Sequence, residues 1–224
     1  MNVLLRAGAL VAVAAVAGCS VTVSGDGRPG EGAREALALQ SFLLSPAEIN
    51  AAMGAEGMVA AATQSTLVED GGRTNPTQCL SVSSVGQEHV YSDAGWTAVR
   101  VQSLREEGAG FEHLVHQGVI EFSTQAQAAE FLTDSAGIWA ACARAGRYAY
   151  RSPEADAVWL VGSVDDEASV LALVTPQQIG EGWTCQRALA AAVNVVADVM
   201  TCSYDIEDRA AVTIAGQIAD RVAG

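Results

Sequence analysis

Five cysteines, at positions 19, 79, 142, 185 and 202, carry most of the chemistry this 224-residue chain has to offer. Zinc sites built from four Cys bring their ligands in closely spaced pairs. No two cysteines here lie closer than 17 positions, so a zinc site is the weaker reading of the four that follow Cys19. His113 and His116 form an HxxH pair, which on a helix would present two imidazoles to one metal. Their surroundings read instead as the entry of a strand, where an odd step sends the two rings to opposite faces. Asp165-Asp166-Glu167 lacks the spaced ligands and central glycine of a calcium loop and reads as a solvated turn. All twelve basic residues are Arg, which excludes a Schiff-base lysine, a P-loop lysine and a kinase lysine. No GxSxG elbow or Walker loop occurs, and His89 reads as a surface residue. No catalytic residue, metal or cofactor is therefore assigned.

Cys19 stands apart because of what precedes it. Met1 to Arg6 carries a single positive charge, and Ala7 to Ala17 is an uncharged apolar run of eleven residues. As a helix this run spans about 16 Å, roughly half a bilayer core, so a signal peptide over residues 1–18 fits better than a membrane span. Val16-Ala17-Gly18-Cys19 resembles the bacterial lipobox, in which the Cys is lipidated and becomes the mature N-terminus. Two or three acyl chains on Cys19 would anchor the protein stably outside the membrane. Residues 19–36 then read as lipidated Cys and flexible tether, rich in Gly and poor in apolar residues.

Export changes the reading of the other cysteines. With Cys19 acylated, Cys79, Cys142, Cys185 and Cys202 remain, an even number in an oxidising compartment, and two disulfides are expected. Three pairings are open on arithmetic alone. A Cys185–Cys202 bond would require the chain between them to reverse, since a continuous helix would hold the two about 25 Å apart.

The elements that must position these residues read as one mixed domain over 37–224. Ser45-Pro46-Ala47-Glu48 is a capping box that opens a short helix. Met58 to Glu69 is ambiguous, and 70–78 is a loop. Trp96 to Leu104 and Leu114 to Phe122 read as an antiparallel hairpin. From Ser123, Ala128, Phe131, Leu132, Ser135, Ile138, Trp139 and Cys142 recur at helical steps, which turns Cys142 to the core. Tyr148 to Arg151, Ala157 to Val164 and Ser169 to Thr175 read as strands separated by turns around Pro153 and Asp165-Asp166-Glu167. Cys185 to Ala192 reads as helix and Asn194 to Cys202 as strand. Glu207 to Ala223 carries a helical stripe of Ala211, Ile214, Ala215, Ile218 and Val222. Strands in meander succession with helices between blocks imply an α+β fold with a mainly antiparallel sheet.

Gly95-Trp96-Thr97-Ala98-Val99-Arg100, Gly182-Trp183-Thr184-Cys185-Gln186-Arg187-Ala188-Leu189, Asn194-Val195-Val196-Ala197-Asp198-Val199 with Cys202, and the closing amphipathic helix resemble the PknH-like extracellular sensor domains of mycobacteria. The resemblance covers about Ser41 to Gly224. It implies a single domain with a twisted, largely antiparallel sheet flanked by helices around a V-shaped cleft. It also implies pairing of the first cysteine with the second and the third with the fourth, here Cys79 with Cys142 and Cys185 with Cys202. A stand-alone lipoprotein carrying this domain fits better than a kinase fragment, because the lipobox takes the place of a transmembrane helix.

Composition narrows function further. A net charge of −14 excludes a basic nucleic-acid binder and disfavours adhesion to anionic headgroups, so contact with the membrane should run through the lipid on Cys19. The leading expectation is a lipid-anchored, non-enzymatic, ligand-binding or sensor-like module on the extracytoplasmic side of the cell membrane. Its partner would be a small molecule, with Trp183 and Arg187 as the ligand-binding candidates. For Arg187 a structural ion pair is the competing reading. For Trp96 and Trp183, each directly after a Gly, core packing is the default and a place in the cleft the alternative. The alternative function is a module that docks another envelope protein or a receptor ectodomain, marked by an exposed apolar patch in place of a deep cleft.

Overall fold

The computed structural model describes residues 38–152, 156–167, 170–205 and 209–224. The leader, Cys19 and the tether assigned to residues 1–36 lie outside the described residues, as does the turn around Pro153. In chain order the elements are α1 (Pro46–Met53), β1 (Val59–Gln64), β2 (Thr74–Asn75), α2 (Leu80–Ser83), α3 (Glu88–Tyr91), β3 (Trp96–Arg105), β4 (His113–Phe122) and α4 (Gln125–Ala145). They continue with β5 (Arg147–Arg151), β6 (Asp156–Leu160), β7 (Asp165–Glu167), β8 (Val170–Pro176), β9 (Thr184–Ala192), β10 (Val195–Ser203) and α5 (Ala210–Ala223).

Seven strands form one antiparallel sheet in the order β1-β3-β4-β10-β9-β8-β7, and β2-β5-β6 form a second, small sheet. The expected hairpin is β3–β4, with Ser103 opposite His116 and Val99 opposite Ile120. The opening helix is built as its capping box implies. The Ser45 hydroxyl accepts from the Glu48 N–H, Glu48 accepts from the Ser45 N–H, and Gly54 closes the helix at φ +63°. The Ser45 hydroxyl, and then the Arg221 guanidinium, hold the Glu48 carboxyl down to about 2.

Two readings of local sequence are corrected. Cys185 to Ala192, expected as helix, is strand β9, paired along its length with β10 and β8. Its alanines favour a helix in isolation, but propensity is a weak prior beside two flanking ladders. The strand is also buried on both sides, so it lacks the polar alternation that would mark it in sequence. The Asp165-Asp166-Glu167 run, expected as a turn, is the edge strand β7. Charge there suits an edge, where it discourages pairing with another chain. The ambiguous stretch after Met58 contains β1, the opposite edge.

Alternation along the strands divides the core in two. On one face α1 and α5 bring Ile49, Ile214 and Ile218 against Val115, Val119 and Val199. Each such fully buried side chain contributes about 1.5–3 kcal/mol. On the other face α4 lays Phe131, Trp139 and Cys142 against Ile120, Phe122 and Leu189. Ile138, assigned to that stripe, is exposed. Beside α4 the same face carries α2, α3 and the small sheet, and between these and the large sheet a cleft remains open.

Candidate functional site

The cleft encloses about 340 Å³. Its floor is the large sheet, through Ser103 of β3, His116 of β4, Met200 of β10 and the Cys185 and Cys202 half-cystines. One wall is the segment Ser83 to Gln87 with Val68 and Asp70, and the other is the small sheet with Tyr148, Tyr150 and Trp159. Tyr148 and Trp159 face each other across β5 and β6, with rings 6.4 Å apart and 11° from parallel. Trp183 closes one end, edge-on to Tyr204 and Phe111.

The first wall is short irregular chain, so its position depends on what pins it. The Cys79–Cys142 bond ties the start of α2 to α4. Two carbonyls of the segment, those of Ser81 and Ser84, accept from Nη2 of Arg187 at 2.9 and 3.1 Å. The Gly86 N–H donates to Asp198 Oδ2 at 2.9 Å. Gly86 itself sits at φ +63°, and a Cβ there would lie 2.9 Å from Val101, so only glycine allows this approach to the floor.

Arg187 and Asp198 lie behind this wall and are almost fully buried. Nη2 of Arg187 is 2.7 Å from Asp198 Oδ1, and Nη1 donates to the Val199 carbonyl at 2.6 Å. The Tyr91 hydroxyl donates to the other Asp198 oxygen at 2.9 Å. Burial, with the neighbouring carboxylate second, pushes the Tyr91 hydroxyl well up from its ordinary value. The guanidinium also lies over the Trp139 ring, 5.6 Å from its centroid.

The two ligand-binding candidates from sequence thus part company. Trp183 lines the cleft. Arg187 does not, since its two Nη groups are spent on Asp198 and on three backbone carbonyls, which is the structural ion pair that competed with the ligand role, and its Nε is buried without a partner. Trp96 packs against the core. Both disulfides are present, Cys79–Cys142 and Cys185–Cys202, in the pairing that the resemblance implied. His113 and His116 are kept apart: Nδ1 of His113 contacts Glu106 at 2.6 Å, whereas His116 turns into the cleft.

Sequence reasoning passed over His116, Tyr148, Tyr150 and Trp159 as site residues. The available signal was alternation, since Tyr148 and Tyr150 must share one face of a strand. Nδ1 of His116 lies 2.7 Å from the Ser103 hydroxyl. Burial, and then the positive charge of Arg187, lower the His116 pKa to about 4. A base that weak at neutral pH is poorly matched to take a serine proton, so the pair is a fixed hydrogen bond and not an activated nucleophile. The unfolded chain takes up a proton at this histidine near 6.5 and the folded chain only near 4. Stability from this residue is therefore complete above about pH 6.5 and lost as pH falls towards 4. In urea titrations the stability difference between the wild type and His116→Phe should shift across that window and stay constant above it.

Residues 35–221 match the family described as the PknH-like extracellular domain. The serine/threonine-protein kinases PknH of Mycobacterium bovis and Mycobacterium tuberculosis are each 32% identical to this chain over 185 residues. That alignment covers 82% of this chain and only 30% and 29% of the kinases, so the chain spans less than a third of their length. The crystal structure of the extracellular domain of PknH from Mycobacterium tuberculosis superposes with a TM-score of 0.78 at 30% identity, covering 84% of this chain and 95% of that one. The part of the kinase that is matched is its extracellular domain and not its catalytic domain. With its α+β architecture, its mainly antiparallel sheet and its two disulfides, the chain belongs to the PknH-like extracellular domain family.

Proposed function

We propose that this protein is a lipid-anchored, extracytoplasmic binding module, held to the membrane through Cys19 and using the cleft to take a small ligand. The observation that carries the reading is the cleft itself. Aromatic side chains of the small sheet face a floor of fixed strands, and the intervening wall is pinned by a disulfide and a buried ion pair. Pockets of this size that combine aromatic surface with a few placed polar groups are the usual form of a small-molecule site. The module is read as non-catalytic, because Ser103 and His116 do not form a competent nucleophile and base. The lipobox ending at Cys19 supports anchoring, and the acidic net charge supports contact through lipid and not through headgroups.

Two measurements test the two halves. Cys19→Ser should move the protein from the membrane fraction of its host to the soluble fraction; retention in the membrane overturns the lipid anchor. Native mass spectrometry of the protein from its host's envelope, without reductant, should show a stoichiometric added mass that is lost on denaturation. The mass of the acylated chain alone, less four hydrogens for the disulfides, turns the reading towards docking of an envelope protein.

A further inference from the structure

The charges around the cleft restrict what can occupy it. Among the described residues its lining includes no Arg, and its one carboxylate, Asp70, is 2.8 Å from Arg73 and accepts from the Tyr150 hydroxyl. Arg187, the cation behind the wall, has both Nη groups turned to Asp198 and to backbone carbonyls, and it is not part of the lining. A carboxylate or phosphate entering the cleft would meet no charged donor in the lining and, beside it, only Arg73, which is already taken by Asp70 and Tyr150; in a protein of net charge −14 it would lose its hydration without compensation. A cation fares no better on the floor. The burial and the guanidinium that keep a proton off His116 act in the same way on any positive group placed beside that ring.

The polar groups in the lining are largely engaged already. The Ser83 hydroxyl pairs with Thr74, Gln87 donates to the Val85 carbonyl and accepts from the Asp70 N–H, and Ser103 is taken by His116. The exceptions on the large sheet are the Gln64 amide on the edge strand β1 and Nε2 of His116 on the central strand β4, neither of which has a side-chain partner among the described residues. Around His116 lie Val101, Leu114, Met200 and the Cys185–Cys202 bridge, with the parallel Tyr148 and Trp159 rings across the cleft.

We infer that the cleft takes an uncharged amphiphile, an apolar body seated on the Tyr148–Trp159 platform with one hydroxyl or carbonyl hydrogen-bonded to Nε2 of His116. This inference rests on the reading of the cleft as a binding site. A neutral imidazole suits that role, because it donates to a carbonyl or accepts from a hydroxyl according to tautomer, and an apolar body needs no further polar partners from the walls.

The test uses the full chain with Cys19→Ser and intact disulfides. The neutral fluorophore N-phenyl-1-naphthylamine is bound at pH 7.5 and then displaced by three probes of equal chain length, 1-dodecanol, dodecanoate and dodecyltrimethylammonium, each below its micelle concentration. Displacement by 1-dodecanol should require at least about tenfold less probe than displacement by either ion. His116→Phe, checked for an unchanged melting temperature at pH 7.5, should weaken 1-dodecanol about tenfold, the order of one hydrogen bond, while the fluorophore still binds. Equal or better displacement by either ion overturns the neutral-ligand inference and leaves the cleft standing as a binding site. Unchanged affinity for 1-dodecanol in His116→Phe overturns the assignment of His116 as anchor. Failure of the fluorophore to bind the folded, oxidised protein overturns the cleft as a binding site altogether.

Discussion

Arg187→Met should lower the stability of the protein by about 3–5 kcal/mol, the cost of leaving a buried charge without its partner. For a domain of this size that corresponds to a fall in melting temperature of roughly 6 to 20 °C, measured by calorimetry at pH 7.5. The cause is visible in what the substitution strands. Asp198 would be left without its guanidinium in a site nearly closed to water, with only the Tyr91 hydroxyl and the Gly86 N–H as donors. The Ser81, Ser84 and Val199 carbonyls would each lose a charged donor. Asp198→Asn should cost a comparable amount by leaving the guanidinium uncompensated. Replacing both residues by apolar side chains of similar volume should recover much of the loss, because the pair's attraction is largely offset by its desolvation. A loss of ligand in Arg187→Met with an unchanged melting temperature would instead make Arg187 a ligand-contacting residue.

Removing the Cys79–Cys142 bond with a double Ala substitution should cost about 4 kcal/mol, and removing Cys185–Cys202 about 3, from the loop each one closes in the unfolded chain. Either loss is a large fraction of the net stability of a typical domain. Urea unfolding under non-reducing conditions gives both values. The two should differ in kind as well as size. Cys185 and Cys202 are directly opposite in the β9–β10 ladder, whose hydrogen bonds hold the strands in register without the bridge. Cys79 and Cys142 join the start of α2 to α4, and α2 leads directly into the wall segment Ser83 to Gln87, so loss of that bond should also raise amide exchange across residues 80–87. Equal exchange in both double variants would show that the Arg187–Asp198 bonds alone suffice to place the wall.

Much of this was legible in the residues. The Ser45 capping box, the β3–β4 hairpin, the long helix ending at Gly146 and the final amphipathic helix all follow from local rules of capping and periodicity, and each formed where those rules put it. Cysteine parity in an exported chain pointed to two disulfides, while their pairing came from family resemblance and not from spacing. The misread elements share a physical reason. A strand buried on both faces has no alternation to display, and an edge strand of acidic residues has the composition of a turn. Both become strands because of the neighbours they pair with, β8 and β10 for the first and β8 for the second.

The sequence by itself determined the acidic charge, the absence of lysine, the apolar N-terminal run that ends in a lipobox-like Val16-Ala17-Gly18-Cys19, the α+β class and most helix and strand positions, since all of these are properties of composition or of residues within a few positions of one another. The tertiary structure alone decided which polar residues face the cleft. His116 meets Ser103 across thirteen positions, and Arg187 meets Ser81 across 106. Arg187 stands beside Gln186 and His116 beside Gln117, each pair in a largely apolar strand, and the sequence does not say which polar residue meets a charge and which meets the cleft. One is buried against a carboxylate and the other is left with a free ring nitrogen in the cleft, because the sheet brings Asp198 to the first and the cleft to the second.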